Sequence, residues 1–354
     1  MPRPVLLSDL TTLHLGGPAP DLVTVTSAGE LAAAMQDHQR EQVLVLGGGS
    51  NLVIADAGVS GPVVRIRIPG ITIAADRPDG SVDVTIGAGE DWDGVVAQLV
   101  DEGLTGLATL SGIPGSSGAT PVQNVGAYGS EIADTLLQVT LFDRTTGEIR
   151  VVPAEDLHLG YRSSDLRGTE RAVITDITLR LHRRPTPIRY AELARTLDVH
   201  PGDTAPEPVI RQTVLALRRS KGMVIDAGVD DPDTRSAGSF FTNPILDDAE
   251  AQRADSAIRG WLGPDVTYPR YQAGEGETKL SAAWLIERAG FGKGFDGPGG
   301  RVGVSSKHTL ALINRNGTSA DLMALARQIR DGVREAFGVQ LRPEPVLLGI
   351  SLDD

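Results

Sequence analysis

The stretch GIPGSSGATPVQNVGAYGSE, residues 112–131, carries five glycines and two prolines in twenty residues and almost no large apolar side chain. It has no face from which to build a core. Glycine loses more conformational freedom on folding than any other residue, so a chain that orders this many needs a compensating reason. A ligand that requires bare backbone close to it is such a reason, and a self-packed Ω-loop is the plainer alternative. The flanks are firmer. Before it, DWDGVVAQLVDEG (residues 91–103) places Trp92, Val95, Val96, Leu99 and Val100 on one helical stripe, with Gly103 just past the end. After it, LLQVTLFDRTTGEIRVVP (136–153) reads as a hairpin turning through Asp143–Gly147.

Further out, SAGELAAAMQ opens a helix with Ser27 three residues before Glu30, the spacing of a capping box. In SVDVTIGAGE, Val82, Val84 and Ile86 share one face of a strand, and AVITDITLRLH alternates likewise. Residues 184–208 carry five prolines (185, 187, 201, 206 and 208), which marks a linker or an exposed, proline-stiffened flap. Beyond them the chain is helix-rich, and PEPVLLGI near the end reads as a last strand. Strands gathered early and helices gathered late imply an α+β protein of more than one domain, not one doubly wound sheet.

The chain has 354 residues, 33 Lys+Arg against 46 Asp+Glu, a formal net charge of -13, and no cysteine. Strong acidity argues against nucleic-acid or anionic-membrane partners, although a few cations inside a cleft still suit an anionic small molecule. Without cysteine there is no disulfide, thiolate nucleophile or Cys-bound metal. The six histidines never fall four apart, so no metal site is expected. No signal-peptide core and no run of about 20 apolar residues is present, so a cytoplasmic location with no membrane partner is the expectation.

A second glycine cluster, Gly47-Gly48-Gly49-Ser50-Asn51, follows an apolar run. Consecutive glycines let backbone N–H groups converge into a concave, partly positive nest suited to a pyrophosphate; an ordinary glycine turn is the alternative. It is not the Rossmann fingerprint, because Leu52 stands where a glycine belongs and strand follows instead of helix. The 112–131 run is no Walker loop either, since no Lys-Ser or Lys-Thr follows its glycines. Its small residues let a flat group lie on the backbone, while Gln123 and Asn124 offer donors and acceptors to a ring edge. Two such loops suggest a dinucleotide. Arg162 follows Tyr161, Ser239 sits before two phenylalanines, and Glu344 stands between two prolines. Read alone, these three are a surface arginine, a turn residue and a solvent carboxylate.

In order along the chain, LGGGSNLV, SGIPGSSGATPVQNVGAYGSE, GYRSSDLR, AGSFFTNP and RPEPVLLG resemble the UDP-N-acetylenolpyruvoylglucosamine reductase family from about Thr12 to Gly349. The resemblance implies two α/β FAD-binding subdomains of the vanillyl-alcohol-oxidase (PCMH-like) type and a third α/β substrate domain. The expected division is 1–70, 71–218 with a tyrosine-bearing segment at 184–208, and 219–342, with a C-terminal strand in 343–354 returning to the first part. It implies FAD held by Gly47, Gly48, Gly49, Ser50 and Asn51 at the pyrophosphate, and by Gly112, Pro114, Gly115, Ser116, Gly118, Ala119, Gln123, Asn124, Gly126, Ala127 and Tyr128 around the flavin and ribityl chain.

NADPH is the implied reductant, and hydride from flavin N5 reduces the enolpyruvyl group of UDP-N-acetyl-3-O-(1-carboxyvinyl)glucosamine to give UDP-N-acetylmuramate in peptidoglycan synthesis. Ser239 matches the proton donor, Arg162 the motif arginine and Glu344 the catalytic glutamate. Tyr190, Lys221, Asn243, Lys279 and His308 match substrate-binding positions, with Lys279 expected at a helix N-terminus. A monomer is expected. Two other readings stand beside this one: a different FAD-dependent sugar or alcohol oxidoreductase of the same fold, and a catalytically silent UDP-sugar sensor.

Overall fold

The computed structural model describes residues 5–38 and 42–353. Helix Trp92–Asp101 is capped by Asp91, whose carboxylate accepts the Gly94 N–H. It buries the stripe read from its sequence: Trp92, Val95, Val96, Leu99 and Val100 are all buried. Gly103 follows at φ 73°, in the left-handed region that glycine tolerates. Helix Ala28–Asp37 is capped by Ser27, but Glu30 reaches one residue further back than a capping box requires, to the backbone and hydroxyl of Thr26.

The chain divides into two compact units. The first contains Ala19–Gly49 and Ser60–Ala227; the second contains Leu6–Pro18, Ser50–Val59 and the chain from Gly228 onward. In the first, strands Leu22–Val25, Val63–Ile66 and Leu44–Leu46 form a parallel sheet with Val63–Ile66 central. A five-stranded antiparallel sheet runs in the order Ile149–Pro153, Leu136–Asp143, Ala172–His182, Ser81–Gly87, Ile71–Ile73. Both sheets feed one core, in which Val82, Val84 and Ile86 meet Trp92, Leu99, Val139 and Leu179. Each fully buried aliphatic side chain contributes about 1.5–3 kcal/mol relative to exposure.

The proline-rich segment is not an exposed flap along its length. Ile188, Leu193 and Ala194 are buried in this same core, and a short helix, Ala191–Thr196, forms inside it. The prolines mark its turns, but its apolar side chains decide where it lies. Tyr190 is 42 % exposed.

The second unit holds two antiparallel three-stranded sheets. One orders Ser236–Ser239, Ala311–Asn314, Val302–Val304; the other orders Ile245–Asp247, Glu277–Leu280, Arg270–Gly274. Helices Asp248–Leu262, Ala282–Arg288 and Ser319–Phe337 pack around them. The longest is closed by a Thr318–Asp321 capping box and by Gly338 at φ 68°. Strand Val346–Leu348 pairs in parallel with Leu52–Ile54, a strand the sequence supplies almost three hundred residues earlier. The mixture of helix and mostly antiparallel sheet is α+β. Among the described residues, no helix is long and apolar enough to cross a membrane.

Candidate active site

Within the first unit the two glycine stretches touch. A Cβ added to Gly48 would lie 2.5 Å from the Gly115 Cα, and one on Gly47 would lie 2.5 Å from the Ser116 Oγ. Gly118 has the same constraint against Ala88, at 2.4 Å. Main chain therefore meets main chain where the sequence placed bare backbone. The 112–131 run is also tied down by the protein itself. Trp92 donates its backbone N–H to the Gly115 carbonyl at 3.0 Å, and Gly112 donates its own to Asp93 Oδ1 at 2.6 Å.

Arg211 grips the same Asp93 carboxylate with both terminal nitrogens. Burial alone would raise the Asp93 carboxyl, but the hydrogen bonds from Arg211 and Gly112 outweigh it and hold the group below the ordinary carboxylate range.

Asn124 does something other than present a ring-edge donor. It is 1 % exposed. Its amide donates to Glu131 at 2.8 Å and to the Gly160 carbonyl at 3.0 Å, and its carbonyl accepts from Ala133 N–H. The side chain is fully engaged inside the loop, as a buried amide must be. Gln123 is buried beside it, and Ala119 is exposed. Ser50 and Asn51 fall in the second unit, where their carbonyls accept from Thr12 Oγ1 and Val346 N–H. The boundary between units thus cuts the Gly47–Asn51 run after Gly49.

Arg162 stands at the far end of the same glycine run. Its guanidinium donates to the Gly126 carbonyl at 2.7 Å and lies 4.0 Å from Glu131. Its backbone has φ 52°. Among the described residues six non-glycines adopt positive φ, and three of them, Asn124, Tyr128 and Arg162, are candidate site residues. Backbone strain of this kind concentrates where geometry serves function.

Tyr128 meets Tyr190 edge-to-face at 5.6 Å, and the Lys221 Nζ sits 5.7 Å from the Tyr128 ring centroid. Burial pushes the Tyr128 phenol up to about 12. Lys221 follows helix Glu207–Ser220 and pairs with Glu192 at 3.0 Å.

In the second unit Ser239 ends strand Ser236–Ser239, opposite Ala311. The next residue, Phe240, accepts the Glu344 backbone N–H on its carbonyl at 2.9 Å. Ser239 and Glu344, 105 positions apart in the sequence, are thereby brought onto neighbouring segments. His308 lies in the turn that leads into Ala311, and its backbone N–H donates to Ser305 Oγ.

Asn243 accepts the Ala282 N–H at 3.0 Å, so it helps to cap helix Ala282–Arg288. Lys279 does not open that helix as expected. It lies in strand Glu277–Leu280, because its partner Ile245 holds it in the ladder and Ser281 is the residue that caps the helix. Of the carboxylates that do the holding, Glu131 ends the glycine-rich run, while Asp93 and Glu192 carry no motif around them.

Comparison with known proteins agrees with this division. The FAD binding domain family matches residues 20–152, and the family described as UDP-N-acetylenolpyruvoylglucosamine reductase, C-terminal domain, matches 230–348. The reductase of that name from Saccharopolyspora erythraea is 56 % identical, covering 98 % of this chain and 95 % of its own. The one from Thermobifida fusca is 52 % identical, over 99 % and 98 %. The crystal structure of the Thermus caldophilus reductase superposes with a TM-score of 0.65 at 26 % identity, covering 98 % of each chain. The residues present fit FAD: glycine at 47 and 48 lets that backbone lie against Gly115 and Ser116 with no side chain between, two bare main-chain stretches brought together as a nucleotide cradle requires. Similarity above half identity from end to end, joined to a glycine cradle that suits the cofactor, places this chain in the UDP-N-acetylenolpyruvoylglucosamine reductase family of FAD-dependent oxidoreductases.

Proposed function

We propose that the chain reduces the enolpyruvyl group of UDP-N-acetyl-3-O-(1-carboxyvinyl)glucosamine to the lactyl ether of UDP-N-acetylmuramate, with NADPH as the source of reducing equivalents. FAD, when bound, would supply the hydride chemistry, and the protein would bind and orient the substrate and deliver the proton. Hydride addition to the substrate's methylene carbon leaves negative charge on the neighbouring carbon and its carboxylate. Arg162 binds that carboxylate in this reading: its planar guanidinium suits a carboxylate, and its contacts with the Gly126 carbonyl and Glu131 hold it in one orientation. Ser239 gives its hydroxyl proton to the carbon. A serine is a weak acid, but an enolate carbon is basic enough to take the proton when the hydroxyl is aimed at it. Glu344 acts beside the enolate with its charge neutralised, by a proton or by a cation, since a free carboxylate would repel the enolate. Lys221, Tyr190 and Asn243 bind the UDP-sugar, and Lys279 and His308 join them. Gly47–Asn51 would hold the FAD pyrophosphate, and the 112–128 backbone would hold the flavin.

The observation that carries this reading is the juxtaposition of Ser239 with Glu344 through the Phe240 carbonyl. Purified enzyme should be yellow and should oxidise NADPH only when the enolpyruvyl substrate is present. Ser239→Ala should lose about 10²–10⁴-fold in turnover while flavin reduction by NADPH, followed by stopped-flow absorbance, stays fast. Near-normal turnover of that variant removes Ser239 from the mechanism. Turnover of a free sugar with oxygen would instead make the protein an oxidase.

A further inference from the structure

Lys221 already holds an anion. Its Nζ lies 3.0 Å from Glu192 Oε2, with the two side chains 27 % and 30 % exposed. Glu192 is the second residue of helix Ala191–Thr196, directly after Tyr190, so one short turn carries both the aromatic ring and the carboxylate. That turn rests on the end of the glycine-rich run. Tyr190 meets the Tyr128 ring edge-to-face, and a Cβ on Gly129 would come 3.3 Å from the Tyr190 backbone nitrogen. Arg189 adds a looser pair with Asp134 at 3.6 Å. Lys221 therefore has a carboxylate on one side and the face of Tyr128 on the other.

We propose that Glu192 is a built-in competitor for Lys221, a carboxylate that occupies the ammonium until a diphosphate displaces it, and that this competition makes Glu192 a specificity-determining residue. The inference rests on the reading of Lys221 as a residue that binds the UDP-sugar, here taken at its diphosphate. A lysine suits such an exchange: its ammonium is a compact charge with three rotatable donors on a flexible stem, so it changes partner without moving its helix. A partly exposed ion pair is weak, so the competitor is easily displaced by a group with more charge. A diphosphate brings more negative charge to one ammonium than a single carboxylate does. A neutral sugar or a monoanion does not, and leaves Glu192 in place. Displacement also removes one of the tethers that hold the Tyr190 turn where it lies.

The test is calorimetric titration of UDP into the FAD-loaded enzyme. Glu192→Gln should tighten UDP binding about two- to fivefold, the range expected for losing a weak internal competitor. Lys221→Met should weaken UDP binding, and Glu192→Gln added to it should then change nothing. Glu192→Asp, which keeps the charge but loses reach, should shift affinity in the same direction as Gln. If Glu192→Gln leaves UDP binding unchanged or weaker while Lys221→Met still weakens it, the competitor role fails and the reading of Lys221 stands. A tightening that persists in the Lys221→Met background marks plain charge repulsion and also overturns the proposal. If Lys221→Met binds UDP as well as the parent, both the competitor and the phosphate role of Lys221 fall.

Discussion

At Gly48 a single hydrogen separates two strands of main chain. Adding a methyl there drives a carbon to 2.5 Å from the Gly115 Cα, a distance no backbone accepts, so one loop must retreat from the other. Overpacking of this kind costs about 1–3 kcal/mol. Gly48→Ala should therefore weaken FAD retention about tenfold or more, read as flavin absorbance per protein after gel filtration. Gly260 makes the matched control. It lies inside helix Asp248–Leu262, and a Cβ there meets nothing within 4 Å. Gly260→Ala should stabilise the fold by about 0.5–1 kcal/mol and leave FAD content alone. Two substitutions of identical chemistry thus act in opposite senses, and only the second follows from helix propensity. The sequence shows both glycines equally plainly, and the difference between them lies in which segment comes to rest against each.

Between residue and molecule, helix ends carry much of the site. Asn243 caps helix Ala282–Arg288 through its side-chain oxygen. Asn243→Ala should cost about 1 kcal/mol of stability, the usual loss for a missing cap. Asn243→Asp keeps the acceptor and adds a negative charge, so it should fold normally yet bind UDP more weakly. Equal UDP affinity in Asn243→Asp and the parent would make the residue a cap and nothing more.

The helix Glu207–Ser220 begins with a buried carboxyl that accepts backbone N–H groups from Ala108 and Gly106, while its Oε2 has no partner among the described residues. Burial raises the Glu207 pKa above its ordinary value. The folded state then keeps the proton to higher pH than the unfolded chain does. Stability is lost as pH climbs from the unfolded value near 4.3 through the raised one. Glu207→Gln should gain more in melting temperature at pH 8 than at pH 4.

Elements of this size divide cleanly in their legibility. The Trp92 stripe and the Asp143–Gly147 hairpin are readable because their periods and turn residues are local. The 184–208 segment is legible in part: its prolines mark turns and most of its residues are exposed, while nothing local announces that Ile188, Leu193 and Ala194 are buried in the core. The holding carboxylates Asp93 and Glu192 have their cationic partners 118 and 29 positions away, so no spacing reveals them. The resemblance to a family names Ser239, Arg162 and Glu344, and the local chemistry of each alone reads as unremarkable surface.

Across the whole molecule, acid is the natural challenge to a protein with a net charge of -13. Each unit contains a carboxylate held below its ordinary range. Asp93 in the first is described above. In the second, burial pushes the Asp233 carboxyl up, but hydrogen bonds from Ser306 and Ser305 more than offset it. A carboxyl with a depressed folded pKa contributes stability above the unfolded value, near 3.9, that is lost as pH falls through the folded one. Circular dichroism should show both units holding to about pH 4 and unfolding below it. FAD release should report the first unit, and Asp93→Asn should flatten that acid limb. A transition centred well above pH 5 would assign acid sensitivity to other groups.

The pairing of Val346–Leu348 with Leu52–Ile54 has one more effect, on the ribosome. Strand 52–54 emerges early and must wait for a partner synthesised about 290 residues later. At ordinary elongation rates of roughly 5–20 residues per second, that is a delay of about 15–60 s. Throughout that interval a nascent apolar edge stands unpaired, a ready target for chaperones or for a neighbouring copy. A chain cut after Pro345 would leave strand 52–54 without this partner, even with every residue from Gly228 to Pro345 in place.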